Sequence, residues 1–255
     1  MRRVTIAFLG QCQVSGYPGV PPDAVFPQIC RRLVQARRPD VRVEVDVVNY
    51  QHPLELPEKT AGVLRGRPRV VVIEAVGWMA IRGKEAIDLS RLPRGVKTAV
   101  QRVRHLRVVA GRLAMQLPAG DLLYKVQHNT EFFGSGALRG LLPRYPRPTM
   151  EQYAHGLADA LRQIAAAGVD AVVQGPGAPN LELDSRGLAP DVMEKYRAVE
   201  QLARRAAEEH GALYVDRWDT VAPGFFLPGH IRPSAQGHTM WGNLLAEKLL
   251  QHGIV

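Results

Sequence analysis

The run Arg69-Val70-Val71-Val72-Ile73-Glu74-Ala75-Val76 constrains this chain more than any other stretch. Beyond Arg69, and apart from Glu74, it is apolar on both alternating faces. A strand of that kind is stable only where helices cover both sides of its sheet. Val4-Thr5-Ile6-Ala7-Phe8-Leu9 and Val169-Asp170-Ala171-Val172-Val173-Gln174 are similar β-rich runs, and Ala212-Leu213-Tyr214-Val215-Asp216 is a last one. Residues 41–48 alternate strictly, as a half-buried strand does. Between these runs helical spacing recurs. Val25, Ile29, Leu33 and Val34 mark a helix over 23–38, and a short one is expected over 58–65. In 149–167, Thr149 and Gln152 are set for a capping box, with Gly168 beyond the end. A long helix over 191–209 closes at Gly211, and Ser234 caps a final helix running to Gln251. Five strands alternating with helices predict one α/β domain over residues 1–255: a three-layer α/β/α sandwich on a five-stranded parallel, flavodoxin-like sheet.

Composition narrows the function. At 255 residues and 46% hydrophobic the chain has ample material for one large core. A net charge of +9 invites a nucleic-acid partner. The arginines are spread along the chain, however, and no basic run is interleaved with aromatics as a stacking platform would be. No nucleic acid is expected, and the basic balance also fits a phosphate-bearing or acidic small ligand. Two cysteines, Cys12 and Cys30, make no disulfide framework, and Cys30 falls at helical spacing with Phe26 and Leu33 as a core thiol. Arg2-Arg3 precede only a short apolar run with no small-residue cleavage site, so no signal peptide is expected. No stretch reaches the roughly 18 apolar residues of a membrane span, which predicts a cytoplasmic protein. No metal-ligand spacing and no dinucleotide-binding glycine pattern occurs.

Chemistry concentrates in Gly10-Gln11-Cys12-Gln13-Val14-Ser15-Gly16, a polar, thiol-bearing loop at the end of the first strand, where open α/β sheets place reactive groups. Gly16, Pro18, Gly19, Pro21 and Pro22 forbid a regular helix before Asp23. Gln51 and His52 lie in the loop after the second strand, Trp78 at the exit of the third and Asn180 after the fourth. Residues 81–148 read either as a helical insertion or lid over the site, carrying His128 and Asn129, or as a surface excursion. Glu74 is either an orienting carboxylate or one half of an ion pair with an arginine, the pair being favoured. Asp216 and Asp219 either anchor the last loop or bond backbone in a turn.

The order and spacing of these loops resemble the SGNH (GDSL-like) hydrolase superfamily across essentially the whole chain. That family opens on Gly-Asp-Ser-x-x-x-Gly, and Gly10-Gln11-Cys12-x-x-x-Gly16 occupies the same frame, with Cys12 in the place of the nucleophilic serine. The stretch Gly229-His230-Ile231-Arg232-Pro233-Ser234-Ala235-Gln236-Gly237-His238 resembles the family's Asp-Gly-x-His-Pro-Ser-x-x-Gly-His ending. There the Asp and His positions hold Gly229 and Arg232, and His230 is the histidine that remains; His238 matches the structural Gly-His. Trp78 stands nearest the family's oxyanion asparagine. Gly10-Gln11-Cys12-Gln13 is also similar to the Gly-Asn-Cys-Gln opening of SGNH-like acetyltransferases of bacterial polysaccharide biosynthesis, which are associated with coenzyme A.

The resemblance implies an SGNH-hydrolase-like fold and acyl transfer through a cysteine: ester or thioester hydrolysis, or O-acyl transfer. Cys12 would be the nucleophile, His230 the base and Arg232 an anion or oxyanion contact. Gln11, Gln13, Gln51, His52, Trp78 and Asn180 would bind a small acyl ester or sugar substrate. No cofactor is required, with a coenzyme A thioester as a candidate acyl donor. The competing expectation is an SGNH-like protein that binds a carbohydrate, acyl or protein ligand without turnover. Oligomeric state is left open.

Overall fold

A computed structural model describes residues 2–17, 19–50, 52–75, 95, 148–179, 192–222, 224–227 and 232–255. The described chain begins with strand β1 (Arg2–Gly10), a one-turn helix α1 (Cys12–Ser15) and helix α2 (Phe26–Arg37). Strand β2 (Val41–Asn49), a 3₁₀ turn (Pro53–Glu55), helix α3 (Leu56–Leu64) and strand β3 (Val70–Glu74) follow. After helix α4 (Met150–Ala166) come β4 (Asp170–Gln174), α5 (Val192–Glu209), β5 (Leu213–Val215), a second 3₁₀ turn (Trp218–Thr220) and α6 (Ala235–Gln251).

The five strands are parallel in the order β2-β1-β3-β4-β5, which is the expected fold class. β3 lies at the centre with all five residues buried, as its unbroken apolar run requires. β2 is an edge strand and keeps the alternating pattern that marked it. One face of the sheet presents Val4, Ile6, Phe8, Val70, Val72 and Val172 to α2 and α6, through Phe26, Cys30, Trp241 and Leu245. The other presents Ala7, Leu9, Val71, Ile73 and Val173 to α3, α4 and α5, through Val63, Leu157, Leu161 and Ala203. Helices on both faces satisfy both sides of every central strand.

Local chemistry sets the element ends. Thr149 and Gln152 form the reciprocal capping box at the start of α4. Ser234 accepts from the Gly237 amide at the start of α6. α2 starts at Phe26 rather than Asp23, because Val25 is extended and Pro27 fits the first turn. Likewise α3 starts at Leu56 with a proline in its first turn, two residues ahead of expectation. The loop after β1 needs a correction: Cys12–Ser15 is helical. One turn closes through Gly16 N–H donating to Cys12 O, and Gly16 at φ +93° then turns the chain away. The insertion read over 81–148 lies almost wholly outside the described residues.

α6 is locked to α2 through His238. The Phe26 N–H donates to its Nδ1 at 3.2 Å, which leaves the proton on Nε2, 2.8 Å from the Tyr17 hydroxyl; Tyr17 in turn donates to Pro233 O at 2.6 Å. Burial, with Arg217 adding to it, pushes the imidazole down to about 3. The folded protein therefore holds the ring neutral where the unfolded chain would protonate it. This contribution is complete above about pH 6.5 and is lost as pH falls toward 3. Between pH 6.5 and 4 it amounts to about 3 kcal/mol. Urea unfolding of wild type and His238→Gln at both pH values should show the wild type's advantage shrinking by that order. An unchanged gap would contradict it.

Candidate active site

β1 sends the chain outward to β2 on one side, and β3 resumes on β1's other side. Crossovers therefore leave to opposite faces, and a crevice opens at the carboxyl ends of β1 and β3. Gly10-Gln11-Cys12 from β1 and Glu74 from β3 meet there.

Glu74 is the floor of this edge. It is 1% exposed and its Oε1 lies 3.3 Å from Arg217 Nη1, itself 1% exposed. Its Oε2 accepts from the Gln11 N–H at 3.3 Å. A Cβ at Gly10 would stand 2.7 Å from that oxygen and 2.5 Å from Val14 Cγ1, so only glycine lets the carboxylate pass beneath the loop. Burial raises Glu74 above the usual carboxylate range, opposed by Arg217 and the Gln11 amide. Arg217 Nε donates to Gly175 O, and its guanidinium lies 3.9 Å from the Trp241 ring centre. Beside Glu74, Tyr50 donates its hydroxyl to Glu74 O at 2.6 Å. Gln174, paired with Glu74 across β3 and β4, is wholly buried, and its side-chain amide has no hydrogen-bond partner among the described residues.

Cys12 opens α1 above this floor and is exposed. Solvent reaches the residue, yet protein surrounds the thiol closely enough that desolvation is its strongest influence and raises its pKa. Arg232 and the N–H groups of Cys12 and Gln13 pull the other way, and Glu74 adds to the rise. The lowered thiol that activation by a neighbouring cation would give is not what this geometry produces.

The remaining predicted residues divide into three groups. Arg232 is brought to the cysteine electrostatically, with its guanidinium 5.2 Å from the Tyr17 ring centre. Gln11 and Gln13 flank Cys12, both half-buried, the first anchored by its own N–H. His52 is wholly buried, and its Nδ1 accepts from the Leu54 N–H at the start of the first 3₁₀ turn. His230, Gln51, Trp78 and Asn180 lie outside the described residues, as do His128 and Asn129. Asp216 takes the turn role, accepting from Trp218 N at 2.8 Å and pairing with Arg204. Sequence reasoning missed Arg217, Gln174 and Tyr50. An arginine directly after a short buried strand was the one signal for the first, since a cation there must find a buried acid.

No protein-family model and no curated protein matches this sequence. In structure it resembles an α/β hydrolase from the metagenome of Lake Arreo, Spain, at 14% identity and TM-score 0.59, covering 98% of this chain and 95% of that one. The lipase/acylhydrolase from Enterococcus faecalis is similar at 14% identity and TM-score 0.55, covering 99% and 97%. A carbohydrate acetylesterase from Sinorhizobium meliloti is similar at 11% identity and TM-score 0.57, covering 98% and 99%. The chain has the α/β fold of these hydrolases and esterases over essentially its full described architecture.

Removing one partner of the Glu74–Arg217 pair leaves a buried charge without compensation. Glu74→Leu and Arg217→Met should each destabilise by about 3–5 kcal/mol, and the double variant by less than either single change. Urea unfolding of the four proteins checks this. A double variant as unstable as the two single changes added together would contradict the pairing.

Proposed function

We propose that this chain transfers an acyl group from a small ester or thioester through Cys12, to water or to a hydroxyl such as a sugar's. The observation that supports it is the position of the thiol. It is exposed on the first turn after β1, at the crevice of a fold shared with esterases, with Arg232 acting on it from the last loop.

In this reading the Cys12 sulfur attacks the acyl carbonyl carbon, and the carbonyl oxygen takes up the negative charge. Arg232 and the side-chain amides of Gln11 and Gln13 are assigned to stabilise it. Collapse expels the alkoxide or thiolate, which takes a proton, and leaves a thioester on Cys12. Water or a sugar hydroxyl then attacks that thioester, loses its proton to a base and frees the sulfur. A thiol raised by desolvation is protonated at neutral pH, so its proton must leave as the new bond forms. His230, two residues before Arg232 in the same loop, is assigned as that base. A coenzyme A thioester fits the donor role without serving as a bound cofactor.

The same raised thiol favours one other reading, a protein that binds an acyl or carbohydrate ligand without turning it over. Turnover of p-nitrophenyl acetate and acetyl-coenzyme A, with and without sugar acceptors, separates the two. Wild type should turn over at least one donor. Cys12→Ala should lose about 100-fold or more. Arg232→Gln should raise the thiol further and slow the reaction at pH 8. Equal turnover by Cys12→Ala, or none by wild type, would sink the enzyme and leave the binder.

A further inference from the structure

The opposite end of β1 carries a second constellation that acyl transfer does not use. Nine residues of strand separate Arg2 from Gly10, roughly 25 Å at the usual rise, so the two ends share no ligand of ordinary size. At the amino edge of β1 and β3 an open cavity of about 520 Å³ is lined by Arg2, Arg3, Arg67 and Arg69, with Thr5 among its walls.

Nearby carboxylates compensate two of these four arginines and leave the other two. Glu44 pairs with Arg3 and, at 3.4 Å, with Arg42. Asp170 holds Arg69 at 2.9 Å, and Arg69 Nε also donates to Ile254 O. Asp40 spends both oxygens on Arg38 at 2.8 Å each and feels Arg2 only through space. Among the described residues, Arg2 and Arg67 have no carboxylate within ion-pair distance. With Arg3 and Arg69 already paired, Arg2 and Arg67 are the cavity's two arginines whose charge an anion would still compensate. Arg67 is also the one described non-glycine residue at positive φ, +49°, directly after Gly66. Its guanidinium is thus carried on a tight turn rather than a regular helix face.

We infer that this cavity binds a small anion carrying at least two phosphate charges. Guanidinium groups grip phosphate oxygens in bidentate fashion, and two unpaired arginines lining one cavity suit a diphosphate better than a single carboxylate. The inference rests on the basic edge alone and stands whether or not Cys12 is catalytic.

Inorganic pyrophosphate is the direct probe, titrated calorimetrically at low salt. Arg67→Gly suits the test because glycine accepts this φ without strain, so the fold is kept while the cation is lost. Arg162→Gln, an exposed change on α4, removes the same net charge away from the cavity. Wild type should bind with saturation, Arg67→Gly should weaken binding about tenfold or more, and Arg162→Gln should stay within about twofold. ADP and a sugar phosphate, titrated alongside, show whether the diphosphate is taken free or as part of a larger ligand. Equal weakening by both variants would reduce the effect to net charge and overturn the site. So would the absence of saturation below about 10 mM, or citrate binding as tightly as pyrophosphate.

Discussion

The buried pair of Glu74 and Arg217 holds the reactive edge of this molecule together. One carboxylate oxygen meets the guanidinium and the other takes the Gln11 amide, while Arg217 also holds Gly175 O and lies over Trp241. Through two side chains the ends of β1, β3 and β4 are tied to α6, although those elements are far apart in sequence. Burying two charges is costly unless their remaining valences are satisfied, and here Arg217 Nε finds the Gly175 carbonyl, the guanidinium an aromatic face and the second carboxylate oxygen a backbone N–H. The pair fixes where the loop after β1 stands. The glycine at position 10 follows from it, because a side chain there would occupy the space of the carboxylate oxygen.

Cys12 inherits an electrostatic compromise from this arrangement. The carboxylate below disfavours a thiolate, the Arg232 charge from the last loop favours it, and desolvation decides for the thiol. On the proposed function, a cysteine held this way stays protonated until a substrate brings its carbonyl and a base takes the proton. That is a useful setting for a nucleophile whose intermediate is itself a reactive thioester. It also separates this edge from the arginine-rich amino edge of the same sheet, where Arg2 and Arg67 have no carboxylate partner among the described residues.

The strands and most helix ends were legible because each has a local cause. The unbroken Val/Ile run demanded a central strand, Thr149 and Gln152 announced a capping box, and Gly16 announced a stop. The turn at Cys12–Ser15 was not legible, since four residues carry no periodicity; what closes it is a backbone bond to Gly16. The site was legible only in part. Cys12 and Arg232 were proposed from their loops, and Glu74 drew notice as an acid in an apolar strand. Arg217, Gln174 and Tyr50 escaped because their partners lie on other strands, and pairing across a parallel sheet leaves no mark at fixed sequence spacing. The sign of the Cys12 shift escaped for a related reason: it is decided by surrounding protein volume, which a motif does not encode.

The most direct measurement is whether an acyl group is transferred to the protein, and to which residue. The protein would be mixed with p-nitrophenyl acetate or acetyl-coenzyme A at pH 9, quenched in acid within a second, digested and mapped by mass spectrometry. The account predicts an acetyl thioester on the peptide carrying Cys12, released by hydroxylamine and absent from Cys12→Ala. Turnover with the acetyl group on another residue, or with no adduct on Cys12 under conditions that trap it on a control thiol enzyme, would contradict it.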